Sequence, residues 1–134
     1  MIELSTTTAL ELSPGQAITF SSIPLKTGCA ECTRMGTGSV KLRANGVYVV
    51  SFSANIGATT ATTAAQLSIQ LGGMTIPEST MISQTTAAGD LSNVATTIPI
   101  RNCCCDYDRI TVVNTGTSTV NVGTGATLFV RRVS

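Results

Sequence analysis

Two groups of cysteines are the residues of this sequence best equipped for chemistry. Cys29-Ala30-Glu31-Cys32 is a C-x-x-C, and Cys103, Cys104 and Cys105 are consecutive. Four thiolates drawn from two such groups would suit zinc, which takes tetrahedral sulfur ligands. Adjacent residues on a strand point to opposite faces, so only some of the three consecutive thiols can converge on one site. A redox C-x-x-C needs its reactive thiol at a helix N-terminus, and the sequence shows no amphipathic helix of ordinary length. A crosslink would tie the region before Met35 to the Cys103-Cys104-Cys105 run; with five thiols, at least one stays free. Small buried hydrophobes with an occasional crosslink among Cys29, Cys32, Cys103, Cys104 and Cys105 are the expectation, with no metal bound.

Catalytic chemistry has little to work with. The chain has no histidine, so neither a Ser-His nor a Cys-His pair can form. Asp106 and Asp108 flank Tyr107 beside the cysteine run. A glycosidase pair would need a second carboxylate across a groove, and calcium would need further oxygens. Such an Asp-Tyr-Asp is most often a solvated turn. Gly36-Thr37-Gly38 and Gly123-Thr124-Gly125 read as turns, since no helix follows either to make a phosphate loop. The expectation is a protein that is not an enzyme and carries no cofactor.

The elements around these residues are strands. A length of 134 residues is one ordinary domain. Hydrophobic residues make up 43%, aromatic residues 4% and charged residues 11%, with net charge +1. Abundant Val and Thr with so little charge suits an all-β domain and opposes disorder. Nucleic acid would require a basic patch; six arginines and two lysines are scattered, apart from Arg131-Arg132. No apolar run is long enough to insert in a membrane. Met1-Ile2-Glu3-Leu4-Ser5-Thr6 lacks the features of a secretory signal, so synthesis in a cytoplasm is expected.

The strongest strand signal is Gly46-Val47-Tyr48-Val49-Val50-Ser51-Phe52-Ser53-Ala54-Asn55, launched by an Asn45-Gly46 turn. Tyr48, Val50, Phe52 and Ala54 share one face; Val47, Val49, Ser51 and Ser53 share the other. A strand that begins apolar on both faces is central, with a core beneath and something covering its outer side. Around it the chain reads as short strands between turns. Residues 1–15 form an N-terminal arm or peripheral strand, and residues 16–134 the main domain. Ala17 to Ile23 is a strand with Ile18 and Phe20 inward, ended by Pro24. Ser39 to Arg43 turns Val40 and Leu42 inward, and Ile56 to Ala65 is a small-residue loop. In Ala65 to Leu71, Leu67 and Ile69 alternate with Gln66 and Ser68. Met74 to Ser83 is a weaker edge strand around Pro77. Strands follow at Leu91 to Cys105, Arg109 to Asn114 and Gly125 to Val133. Eight to ten short strands at regular spacing imply an antiparallel sandwich or jelly roll.

These motifs carry a resemblance. Gly46-Val47-Tyr48-Val49-Val50-Ser51-Phe52 resembles the Gly-x-Tyr-x-x-x-Phe strand of the tumour-necrosis-factor-like jelly roll, the fold of complement globular heads. The bacterial and phage branch is the most similar, as in the C-terminal domains of collagen-like spore-surface glycoproteins. Ala54-Asn55-Ile56-Gly57-Ala58-Thr59, the segment Leu67 to Pro77, and the ending from Ile110 to Val133 follow that branch in order and spacing. The similarity runs from about Ala17 onward.

The resemblance implies a homotrimer in which subunits cover the outer face of the inner sheet, with Val47, Val49, Thr97, Pro99 and Phe129 at the interface. The alternative is that the N-terminal arm covers them within one subunit. No collagen repeat precedes the domain in this sequence, which favours a stand-alone virion component over a stalked spore-coat protein. The function expected is therefore structural: a trimer decorating a phage capsid, or attached to a tail or fibre, with other virion proteins as partners. The alternative is a surface adhesin whose Ile56–Ala64 pole touches host glycan; the scarcity of aromatic platforms counts against it. A cytokine-type ligand rests on fold analogy alone.

Overall fold

A computed structural model of the chain describes residues 2–20, 22–26, 32–35, 39–42, 46–59, 64–84, 90–102 and 108–133. Its strands are β1 (Ile2–Ser5), β2 (Leu10–Leu12), β3 (Ser22–Lys26), β4 (Cys32–Met35), β5 (Ser39–Leu42), β6 (Gly46–Ala58) and β7 (Ala64–Leu71), followed by β8 (Met74–Thr75), β9 (Met81–Gln84), β10 (Ser92–Asn102), β11 (Asp108–Asn114), β12 (Val120–Val122) and β13 (Thr127–Arg132). A 3-10 turn at Pro77–Ser79 is the only helical element among the described residues.

Every pairing is antiparallel, and two sheets result. The first runs β2-β12-β6-β13-β1-β3, with β10 on the opposite flank of β6. Because β12 and β13 follow one another along β6, and β1 and β2 lie beside them, its rows are β10, β6, β13 with β12, β1 with β2, and β3. The second runs β4-β5-β11-β7, with β8 and β9 sharing the far flank of β7. This is the antiparallel jelly-roll sandwich that the resemblance implies, one of the two architectures open to the strand spacing.

The core lies between the sheets and follows from strand parity. Tyr48, Val50, Phe52, Ala54, Ile56 and Ala58 all turn inward from β6 and are buried. They join Leu67 and Ile69 of β7, Ile110 and Val112 of β11, and Leu128 and Val130 of β13 in one cluster. Two buried polar side chains fasten the corners. Thr6 Oγ1 accepts from the Ala126 N–H at 3.0 Å, tying the break between β1 and β2 to the turn before β13. Asn114 donates from Nδ2 to the carbonyls of Leu12 (3.1 Å) and Ser118 (2.9 Å), while its Oδ1 accepts from the Gly116 N–H (3.0 Å).

Three expectations are corrected. First, the N-terminal segment is not an arm. β1 is an interior row, paired with β13 through Leu4↔Leu128 and with β3 through Glu3↔Leu25, and Leu4 is fully buried. Only β2, paired with β12 alone, is peripheral. Second, Ile18 and Phe20 are buried, but their segment is no strand of its own. It crosses to the second sheet, where Ala17 bridges Val113 and the Ile18 N–H donates to the Val112 carbonyl at 2.8 Å. The strand that follows, β3, contains Pro24 instead of stopping there. The register between β1 and β3 slips opposite this proline, so its missing N–H falls at a bulge on an edge row.

Third, the small-residue segment after Asn55 is not a loop at its start. β6 continues through Ile56, Gly57 and Ala58, all buried and paired with β12. A glycine is needed at position 57 because backbone crosses the strand there: a Cβ on Gly57 would lie 1.9 Å from the Asp90 carbonyl oxygen. Gly72 and Gly73 turn β7 into β8 with φ of 60° and 87°, a left-handed geometry that suits glycine. The Asn45 turn position and residues 87–89 lie outside the described residues.

Candidate subunit interface

Register brings the five proposed contact residues onto one patch. Across β10, Thr97 stands opposite Ser51 and Pro99 opposite Val49. Across β13, Phe129 also stands opposite Ser51. Directly opposed residues share a face, so Val47, Val49, Thr97, Pro99 and Phe129 form a continuous surface on the outer side of the first sheet. Thr97 and Pro99 are exposed, and Val47, Val49 and Phe129 are half-buried. The N-terminal segment does not cover them, because β1 and β2 lie in the plane of the sheet as extra rows. A hollow of about 160 Å³ opens beside Phe129, lined by Ser51, Ser53, Ala95, Thr97 and Thr127 among others.

The polar groups of this face largely satisfy one another. Ser51 Oγ and Thr97 Oγ1 share a hydrogen bond of 3.1 Å, and Asn93 Nδ2 donates to Asn55 Oδ1 at 3.3 Å. Groups already paired lose less when water is removed from above them. One end of the face is closed by the chain itself, where Asp90 and Leu91 pass over Gly57 and Gly123. Leu91 is 45% exposed there. The other end carries Arg101, opposite Val47, and Arg131, opposite Val49, both exposed. Parity alone marks Ser51 as a member of the patch. Ala95 and Arg101 join it by parity with Thr97 and Pro99 along β10, and Arg131 by parity with Phe129 along β13, whereas Glu3 joins it only through its pairing with Phe129.

The chemically suggestive residues do not assemble into a reaction centre among the described residues. No group of three potential metal ligands occurs there. The backbone of Cys32 lies opposite Leu42, which lies opposite Asp108 on its other side. Cys29, Cys103, Cys104, Cys105, Asp106 and Tyr107 lie outside the described residues, as do Gly36, Thr37 and Gly38. Gly123-Thr124-Gly125 is a turn, with Gly125 at φ 84°, that leads into β13. Among the described residues no helix is long and apolar enough to cross a membrane. A polar hollow of about 390 Å³ on the second sheet is lined by Gln70, Thr75, Asn114 and Thr115 without an aromatic ring.

No protein-family model matches the chain, and no curated protein matches it in sequence. Solved structures do match in fold. Eiger TNF from S. frugiperda superposes with a TM-score of 0.78 at 14% identity, over 99% of this chain and 91% of that one. The globular domain of zebrafish complement 1qA protein gives 0.65 at 11% identity, covering 96% of this chain and 94% of that one. PRD1 vertex protein P5 gives 0.52 at 14% identity, covering 99% and 96%. The chain has the jelly roll shared by tumour-necrosis-factor-like proteins and complement globular heads.

Proposed function

We propose that this chain is a non-enzymatic structural protein of a phage particle: a homotrimer that decorates the capsid or is attached to a tail or fibre. The observation that carries the proposal is the outward face of β6. Val47, Val49, Pro99 and Phe129 form an apolar strip that nothing among the described residues covers. Exposed apolar patches of this kind mark association, and closed homo-oligomers are the usual way to cover them. The sequence resemblance to the bacterial and phage branch supports a trimer, and the likeness in fold to a vertex protein supports a place on a particle. Virion partners and location follow from this proposal.

Two measurements test it. Light scattering of the purified chain should give the mass of a trimer with and without reductant; a monomer in both conditions refutes the assembly. The protein should also co-migrate with intact particles through a density gradient, and its absence from washed particles refutes the virion role.

A further inference from the structure

The end of the outward face beside Val47 carries charge that no acid among the described residues neutralises. Arg101 reaches it from β10 and Arg131 from β13, on opposite flanks of β6. Two strand spacings and a two-residue offset place their Cα atoms roughly 12 Å apart, within the span of two extended arginine side chains. Both project on the same side as Val47 and Val49, and both are exposed. Neither forms an ion pair among the described residues. The acid nearest by register is Glu3, opposite Phe129 and diagonal to Arg131.

Association through this face would gather two such cations from every subunit where water is excluded, and like charges repel more strongly there than in bulk. Guanidinium groups are matched by oxyanions, whose oxygens accept their paired N–H donors in a fork. Building on the assembly proposed above, we infer that the trimer holds a small polyvalent oxyanion of the phosphate class between Arg101 and Arg131 of adjoining subunits. The anion tightens the assembly by replacing repulsion with charge-assisted hydrogen bonds. Val49, Pro99 and Phe129 supply the apolar part of the contact, and the arginine end makes its strength depend on which anion is present.

Sedimentation equilibrium of the whole chain in chloride and in inorganic phosphate, at matched ionic strength, tests this. Phosphate should tighten association about ten-fold or more. The double variant Arg101→Gln/Arg131→Gln should lose that difference while unfolding at the wild-type temperature, because both side chains are exposed. Equal association of the wild type in the two salts overturns the inference, as does a double variant that still prefers phosphate. An acidic peptide that displaces phosphate and fits better also overturns it, in favour of a protein partner. A chain that is monomeric in every buffer overturns the trimer itself; a trimer indifferent to the anion overturns only the oxyanion site.

Discussion

Replacing Gly57 with alanine would test whether the chain crossing above β6 is as tight as the geometry indicates. The new Cβ would sit 1.9 Å from the Asp90 carbonyl oxygen, 1.5 Å short of the 3.4 Å at which ordinary contact begins. The obstacle is backbone, not the end of a flexible side chain. It is also anchored: β10 starts two residues later with Ser92 opposite Ile56, and stays in register with β6 down to Asn102 opposite Gly46. Moving Asp90 therefore strains a long ladder. Overpacking of a well-filled site costs about 1–3 kcal/mol, and a backbone obstacle belongs at the upper end. The stiffer unfolded chain returns roughly 0.4–1 kcal/mol, leaving a net loss of about 2 kcal/mol. Urea unfolding at fixed protein concentration should show a lower midpoint with an unchanged slope. A Gly57→Ala protein as stable as the parent would refute the close crossing, and with it the explanation for the glycine at position 57.

Further substitutions probe the face and the corners. Val49→Asp places a carboxylate in the proposed contact and should give a folded monomer; light scattering that still shows a trimer would remove Val49 from the interface. Asn114→Ala deprives two carbonyls and one N–H of their partner at a fully buried position, so a loss of about 2–4 kcal/mol is expected in denaturant titration. Thr6→Val keeps the shape but removes the acceptor for the Ala126 N–H. It should cost about 1–3 kcal/mol, and hydrogen exchange at Ala126 should accelerate.

Much of the sandwich was legible wherever one strand carried its own pattern. Tyr48, Val50 and Phe52 alternate with Val47, Val49 and Ser51, so both the core face and the outward face of β6 could be read from ten residues. The same holds for Leu67 and Ile69, and for Leu128 and Val130, all fully buried. Elements whose reason lies elsewhere in the chain were harder to see. Gly57 and Ala58 resemble the start of a loop because they are small, and Gly57 is small because the Asp90 backbone crosses it. β12 is three residues set among turn formers, recognisable only once β6 and β2 flank it. β1 resembles an arm because one of its two partners, Thr127 to Val130, is more than a hundred residues away. The interface patch was legible residue by residue, and parity also puts Arg131 beside Phe129, but that Arg101 and Arg131 flank one end of β6 emerges only from the pairing.

The pairing of β1 with β13 has a consequence for biogenesis. β13 fills the space between β6 and β1, so the earliest strand and the longest one both wait on the latest. A nascent chain halted before Thr127 would hold β6 with one flank unzipped over Tyr48–Ser53 and β1 with no neighbour on that side. Long-range closure of this kind slows folding, and an open strand edge recruits other chains. Shortening β13 should therefore yield aggregates instead of a smaller folded domain.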